Sequence, residues 1–296
     1  MKTTYVTGVD IGGSHITAGL VNIATRSMVS DSLVRNPVNP HAGPDEIITA
    51  WGHTIRQAAF SLGATTYQVG IAMPGPFDYP NGVSLIKGFN KYESLYGLNV
   101  KALLAQFLGI QAADIKLKND AAAFLQGEVF GGAARGYAKA AGITLGTGLG
   151  SARSMNGDTE EGALNILPLH EGIAEDYISI RWFMKRYHEL TGQYANGVKA
   201  LAEKAGQEEQ AAQVFREFSA NLALVLQHFM AEEQPDIVVV GGGIANAFDL
   251  FYPELKRLLA ATMGDTVIKQ SLLGEPAAMI GAASFFGETA TIISSL

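Results

Sequence analysis

The chain opens on two apolar runs joined by a bare turn. In TYVTGVDIGGSHITAGLVN, residues 4–22, the apolar positions stop at Gly12-Gly13 and resume after Ser14, which predicts a hairpin. A further strand signal lies at Leu33–Arg35. Over residues 44–62 the period changes to that of a helix. Pro44 suits its first turn, Asp45 and Glu46 suit its dipole, and Ile47, Trp51, Ile55 and Ala59 form a stripe at spacing four. TYQVGIAMPG reads as a strand that runs into the loop PGPFDYPNG. Asn99 then caps a helix carrying Val100, Leu103, Leu104 and Phe107, and Gly109 ends it.

Near residue 118 the pattern restarts. The short strand DIKLKND leads into an Ala-rich helix over 120–130, and AAGITLGTGLGSARSMNG repeats the order strand, glycine turn, strand. Set beside YVTGVDIGGSHITAGLVN, this is the same device used a second time. Two copies this far apart predict two related lobes across a cleft, with no short repeat of the solenoid kind. Helices are predicted over 174–190 and 208–233, the latter with Val214, Phe218, Leu222, Leu226 and Phe229 along one face. DIVVVGGG is an unbroken β-branched run without alternation, which predicts a parallel strand covered on both faces. A helix over about 250–262, the strand TVIKQSLLG and a closing helix from 276 complete an α/β pattern.

Composition narrows the function classes. The 296 residues are 48% hydrophobic and 17% charged, which suits a large core and excludes a disordered chain. A net charge of −7 opposes general nucleic-acid binding, which needs a basic face. An anionic ligand would have to be held by backbone N–H groups, helix N-termini or a metal ion. The absence of cysteine rules out disulfides, thiolate metal sites and cysteine nucleophiles. MKTTYVTGVD lacks the apolar core of a signal peptide, and no apolar segment reaches membrane-spanning length unbroken, so a soluble cytoplasmic protein is expected.

Three glycine clusters follow apolar strands: Gly12-Gly13, Gly146-Thr147-Gly148-Leu149-Gly150 and Gly241-Gly242-Gly243. Glycine allows close backbone approach, so N–H groups can converge on phosphate oxygens, although any one cluster is equally a turn. No G-x-x-x-x-G-K-[ST] occurs. GGGIAN has Asn246 where a dinucleotide turn has its third glycine, which leaves a nicotinamide-linked oxidoreductase a weak alternative. His170-Glu171 lacks the second histidine of a zincin helix.

Asp10 ends a strand at the first glycine pair. A carboxylate cannot face phosphate directly, so the expected role is to hold magnesium through water, a solvated turn being the alternative. Asn119-Asp120 stands where a strand gives way to a helix, and either residue could simply cap it. Glu175-Asp176 opens another helix and is open to the same reading.

Together these segments resemble the ROK family of sugar kinases and repressors, within the actin-like ATPase superfamily. GVDIGGSHITAGLV is similar to the family's first phosphate segment, VGIAMPGPFD to its G-x-x-x-P-G-x-x-D block, and LKNDAAAFLQGE to its N-D-A-x-A-A-x-x-E helix. ITLGTGLGSA resembles the second phosphate segment, EDYIS a pocket helix and IVVVGGGIANAFDLFYPEL the adenosine segment. The resemblance implies an actin-like, ribonuclease H-like α/β fold of two lobes with an interlobe cleft. One lobe would span 1–118 with a C-terminal helix at about 280–296, and the other 119–279. It implies ATP-dependent phosphorylation of a sugar hydroxyl, with Asp120 as general base and ATP and magnesium as cofactors. Asp10, Gly12, Gly13, Ser14, Thr144, Gly146, Thr147, Gly148, Gly242 and Gly243 would hold the nucleotide and its ion, and Gly75, Asn90, Asn119 and Glu175 the sugar. A homodimer through the helical lobe is also implied; the 214–229 stripe would serve that contact or the core.

The departures bear on specificity. EEGALNILPLHEGIAEDY stands where the family has G-E-x-G-H and a three-cysteine zinc knuckle. Ala163 replaces the expected glutamate and Ile166 the histidine, so no zinc site is expected and the usual glucose contacts are incomplete. This favours a sugar with fewer or differently placed hydroxyls, or an N-acetyl or deoxy group, unless Glu161 or His170 supplies the lost contacts. Ser14 and His15 stand where threonine and lysine are usual. The alternative to a kinase is a catalytically inactive sugar sensor related to the repressors. DNA binding is not expected from an acidic chain whose first strand begins within a few residues of its start.

Overall fold

The computed structural model describes residues 5–61 and 68–287. The chain divides into two compact units, one of residues up to Gly132 together with those from Glu275, the other Ala133–Gly274.

The first unit begins with β1 (Tyr5–Ile11) and β2 (His15–Asn22), the predicted hairpin, followed by the short β3 (Ser27–Met28) and by β4 (Val34–Pro37). Helix α1 (Pro44–Ala59) buries the predicted stripe of Ile47, Trp51, Ile55 and Ala59. Then come β5 (Val69–Met73), the two-residue strands β6 (Phe77–Asp78) and β7 (Val83–Ser84), α2 (Val100–Leu108), β8 (Ile115–Asn119) and α3 (Asp120–Gly131). Asn99 caps α2 by accepting the Ala102 N–H at 2.9 Å, and Gly109 ends it at φ 72°. The sheet order is β3-β2-β1-β5-β8, with β4 on β2; β1, β5 and β8 run parallel and β2 antiparallel to β1.

The second unit repeats this plan. β9 (Lys139–Leu145), β10 (Leu149–Met155) and β11 (Asp158–Glu161) form an antiparallel meander; the small pair β12 (Pro168–Leu169) and β13 (Gly172–Ile173) follows. Helices α4 (Ala174–Tyr177), α5 (Ile180–Thr191), α6 (Gly197–Lys204) and α7 (Glu209–Glu233) precede β14 (Ile237–Gly241), α8 (Phe248–Leu259) and β15 (Val267–Gln270). The order β11-β10-β9-β14-β15 places a parallel strand beside the first strand of a hairpin, as β5 sits beside β1. The recurring sequence device is therefore a recurring sheet.

One expectation needs correction. The helix read over 174–190 is broken at Ile178–Ser179, where both residues leave helical geometry. The break frees the Ile180 N–H to donate to the Gly146 carbonyl at 2.9 Å, a tertiary bond no local pattern announces. The stripe of Val214, Phe218, Leu222, Leu226 and Phe229 is the core of its own unit, packed with Phe183 and Phe251.

The division between units also differs from the expected 118/119. The closing helix α9 (Ala277–Ser284) packs directly on α3, which ties Asp120–Gly131 to the first unit; the expected helical continuation over 288–296 lies outside the described residues. Small residues permit that contact. A side chain at Gly281 would collide with the Ala123 carbonyl, and one at Gly127 with the Ala277 carbonyl. Gly8 and Gly70 in β1 and β5 admit the backbone of α9 at Met279 and Ala282 in the same way. Replacing Gly281 with Leu is expected to cost about 3 kcal/mol through overpacking, read as a lower urea midpoint with unchanged slope.

Candidate active site

In the first unit, the parallel strands β1, β5 and β8 finish at one edge. Asp10 pairs in register with Ala72, and Met73 with Asn119, so the C-terminal ends of the three strands bring Asp10, the Gly75 loop and Asn119-Asp120 together. Open parallel sheets bind ligands at this edge. The turn Gly12–His15 projects beyond it fully exposed, closed by the Gly12 N–H donating to the His15 carbonyl at 2.9 Å. Gly75 lies beside Tyr79, whose hydroxyl donates to the Met73 carbonyl at 3.1 Å.

The choice between capping and chemistry at Asn119-Asp120 is divided between the two residues. Asn119, buried and extended, is the cap: its Oδ1 accepts from Ala121 at 2.9 Å and from Ala122 at 3.1 Å, and its Nδ2 faces the Tyr79 hydroxyl at 3.4 Å. Asp120 is thereby released from capping. Its carboxylate accepts the Ala121 N–H, at 2.9 Å through Oδ1, and is also stabilised by its own backbone N–H. The tip of Asp120 reaches water, yet protein encloses it on most sides. This loss of hydration holds its pKa above the ordinary carboxylate value, against the lowering effects of the Ala121 N–H and the Lys91 charge.

Asp10 is pushed up to about 6, first by burial and then by the negative charge of Asp120, with Glu275 adding to the rise and Arg35 opposing it. A half-buried acid that faces two other acids is short of positive charge. Among the described residues no group of three or more acidic or histidine side chains is arranged to hold a metal ion. One carboxylate with water and phosphate oxygens is nevertheless the usual magnesium arrangement, and Asp10 fits it.

The second unit carries the other glycine turns at the matching edge. Gly241 pairs in register with Thr144, and a side chain at Gly242, whose φ is 87°, would collide with the Leu145 backbone. Gly148 is required for a different reason: a Cβ there would run into the Glu175 carboxylate. Glu175 Oε2 accepts the Leu149 N–H at 3.1 Å and Oε1 meets Arg181 at 3.4 Å, so this carboxylate holds the turn in place. His170 is bonded to Asn221 at 3.0 Å and rests edge-on against Tyr177, while Ile166 is 61% exposed and Ala163 also lies on the surface.

Gly12, Gly13, Gly146 and Gly243 differ from the others. None is in the left-handed region, and a methyl group on any of them would meet nothing closer than 3.5 Å. Crowding within the fold therefore does not account for glycine at these four positions. Gly13→Ala is expected to leave the melting temperature unchanged while weakening ATP about tenfold, near 1.4 kcal/mol, in a titration of the variant.

Sequence reading missed Lys91 and Tyr92, the neighbours of Asn90. Asn90 is exposed at φ 55° and its N–H donates to Glu93 Oε1 at 3.0 Å. Tyr92 is fully buried edge-on against Trp51, and its hydroxyl donates to the Gly12 carbonyl at 2.6 Å. The pairing spans 80 positions; the one local signal was a large aromatic inside a polar loop.

The model of the ROK family matches residues 6–166 and 170–289. The chain is 28% identical to the glucokinase of Thermotoga maritima, covering 97% of this chain and 99% of that one. It is 25% identical to the N-acetyl-D-glucosamine kinase of Pectobacterium carotovorum, covering 86% and 89%. Among solved structures, a glucokinase from Streptomyces griseus in complex with glucose and AMPPNP superimposes with a TM-score of 0.77, at 23% identity over 95% of this chain and 99% of that one. The fold is that of the actin-like ATPases.

Proposed function

The chain belongs to the ROK family, and from that premise we propose that it is a sugar kinase that transfers the γ-phosphoryl group of ATP to a sugar hydroxyl. The observation that carries this reading is the division of labour at the start of α3. Asn119 does the capping and leaves beside Asp10 a desolvated Asp120 carboxylate. Phosphoryl transfer asks little covalent chemistry of a protein, mainly positioning, charge neutralisation and a base for the nucleophile.

Asp120 accepts the proton of the attacking hydroxyl. A pKa above the ordinary carboxylate value makes its ionised form a better proton acceptor than a solvated aspartate. Gly12 shapes its turn, with its N–H bonded to the His15 carbonyl, and the N–H groups of Gly13 and Ser14 serve the phosphates. Thr144, Gly146, Thr147 and Gly148, with Gly242 and Gly243, serve the nucleotide. Asp10 would hold magnesium through water, and the ion, when bound, would neutralise phosphate charge. On the sugar side are Gly75, the Asn90 side chain, the free N–H of Asn119 and Glu175. Glu175 already braces Leu149, so its contribution is a shared one.

The relatives named as N-acetylglucosamine and glucose kinases support a hexose or amino sugar as acceptor. Ala163 and the exposed Ile166 favour an acceptor that offers an acetyl or deoxy group there. His170 is engaged with Asn221. A soluble cytoplasmic homodimer completes the reading; no helix among the described residues is long and apolar enough to cross a membrane. Incubation with Mg-ATP and a panel of hexoses and N-acetylhexosamines tests it by the appearance of ADP and sugar phosphate together. ATP binding with no phosphorylation of any sugar would overturn it in favour of a sensor.

A further inference from the structure

One cation beside the first glycine turn has no structural employment. Lys91 is half-buried, and among the described residues its ammonium makes no hydrogen bond and no ion pair. Other partly covered cations of this chain are engaged: Lys116 donates to the Phe285 carbonyl, and Arg186 pairs with Glu217 and Glu189. A long side chain kept partly out of water without a partner forfeits hydration and rotamer freedom for no return in the free protein.

The backbone that carries it is firmly held. Tyr92 bonds the Gly12 carbonyl through its hydroxyl at 2.6 Å and the Pro40 carbonyl through its N–H at 2.7 Å. Ser94 bonds the Ala42 carbonyl at 2.7 Å, and both Asn90 and Tyr92 take left-handed backbone, at φ 55° and 54°. This fastening lays the lysine stem along the glycine turn, with Cδ 3.9 Å from the point where a Gly13 side chain would begin. On the other side, the Lys91 charge acts on Asp120. The lysine thus runs beside the turn assigned to phosphate, and its charge is felt at the carboxylate assigned to the acceptor.

Resting on the sugar-kinase reading above, we propose that Lys91 contacts the γ-phosphoryl group of ATP and neutralises its charge during transfer. In that step the acceptor oxygen forms a bond to Pγ and its proton passes to Asp120. The bond from Pγ to the bridging oxygen breaks, and its electron pair leaves with ADP. Negative charge spreads over the three equatorial oxygens at the midpoint. A compact ammonium with three rotatable donors can follow oxygens that move, where a planar guanidinium imposes one geometry.

Lys91→Met separates this role from simple support of Asp120. Binding of Mg-ATP, as a non-hydrolysable analogue, and of Mg-ADP is measured by calorimetry alongside kcat and the melting temperature. The expected result is analogue binding weakened about tenfold, ADP binding within about twofold, and kcat lowered about a hundredfold, the scale seen for removing one oxyanion donor. Lys91→Arg should restore the preference for the triphosphate in part. Lys87→Met is the control: Lys87 is exposed on the same loop, its ammonium 5.2 Å above the Tyr96 ring, and its loss should change neither affinity. Equal weakening of analogue and ADP, no weakening of either, or the same loss in Lys87→Met would each overturn the proposal. A wild-type protein that phosphorylates no sugar would refute the kinase reading instead, while the ratio of the two affinities would still report on Lys91.

Discussion

Asp120→Asn is expected to lower kcat about a thousandfold, the middle of the range for loss of a positioned general base. Mg-ATP affinity should be unchanged. Asparagine keeps the shape, and its Oδ1 can still accept the Ala121 N–H. The melting temperature should not fall. The folded state holds the Asp120 pKa above its ordinary value, so ionisation of this carboxylate opposes folding, and its removal relieves that opposition. In the wild-type protein the base form is lost on protonation. Activity should therefore rise with pH through an acid limb placed above the ordinary carboxylate range, first because Asp120 is desolvated, while Lys91 and the Ala121 N–H limit the displacement. A coupled assay of ADP release across pH reads both quantities. A variant within tenfold of wild type, or one that melts markedly earlier, would place Asp120 among structural residues.

How far the sequence reveals this site depends on the range of the interactions that make it. Helix α2 is legible at both ends because Asn99 and Gly109 act on backbone groups three to four positions away. The strand Ile237–Gly241 is legible because a run of β-branched residues buried on both faces has few other homes. The two glycine hairpins are legible as copies of one device, since the turn residues themselves recur, and the sheets confirm a shared strand order.

Legibility ends where a tertiary bond decides between local options. Asn119 and Asp120 are both good caps by type. The extended backbone of Asn119, set by its place at the end of a strand between neighbouring elements, gives it the role. The break at Ile178–Ser179 exists because the Ile180 N–H is drawn to Gly146, and the helical periodicity on both sides conceals it. Helix α3 joins the first unit because glycines at 127 and 281 admit backbone contact with α9, and the chain supplies α9 some 150 residues later. Lys91 and Tyr92 belong to the same class: only the fold shows that one loop residue fastens the first glycine turn while its neighbour lies along it. Sequence motifs thus marked the glycine turns and Asp10, and missed Tyr92, which fastens the first of those turns.

Asp10→Asn should make the ligand-free protein more stable while disabling it. An unfolded aspartate ionises near 3.8, whereas folded Asp10 keeps its proton to about 6. Between those values the folded state binds more protons than the unfolded one, so stability falls as pH rises through the window and stays lower above it. The difference amounts to about 2–3 kcal/mol against folding at neutral pH. Asparagine does not titrate. The melting temperature of the variant should therefore exceed that of wild type at pH 7.5 by several degrees, and the gap should narrow towards pH 4, where both side chains are neutral. Magnesium with ATP should reverse the ranking, because the wild-type carboxylate recovers its lost stability when a cation is held opposite it. Scanning calorimetry at pH 4 and 7.5, with and without Mg-ATP, gives four comparisons. A variant less stable than wild type at pH 7.5 without nucleotide would show that Asp10 supports the strand end it terminates. The predicted pattern identifies it instead as a charge kept at a cost for the ligand, and it explains why a buried strand ends in an acid whose side chain has no hydrogen-bond partner among the described residues.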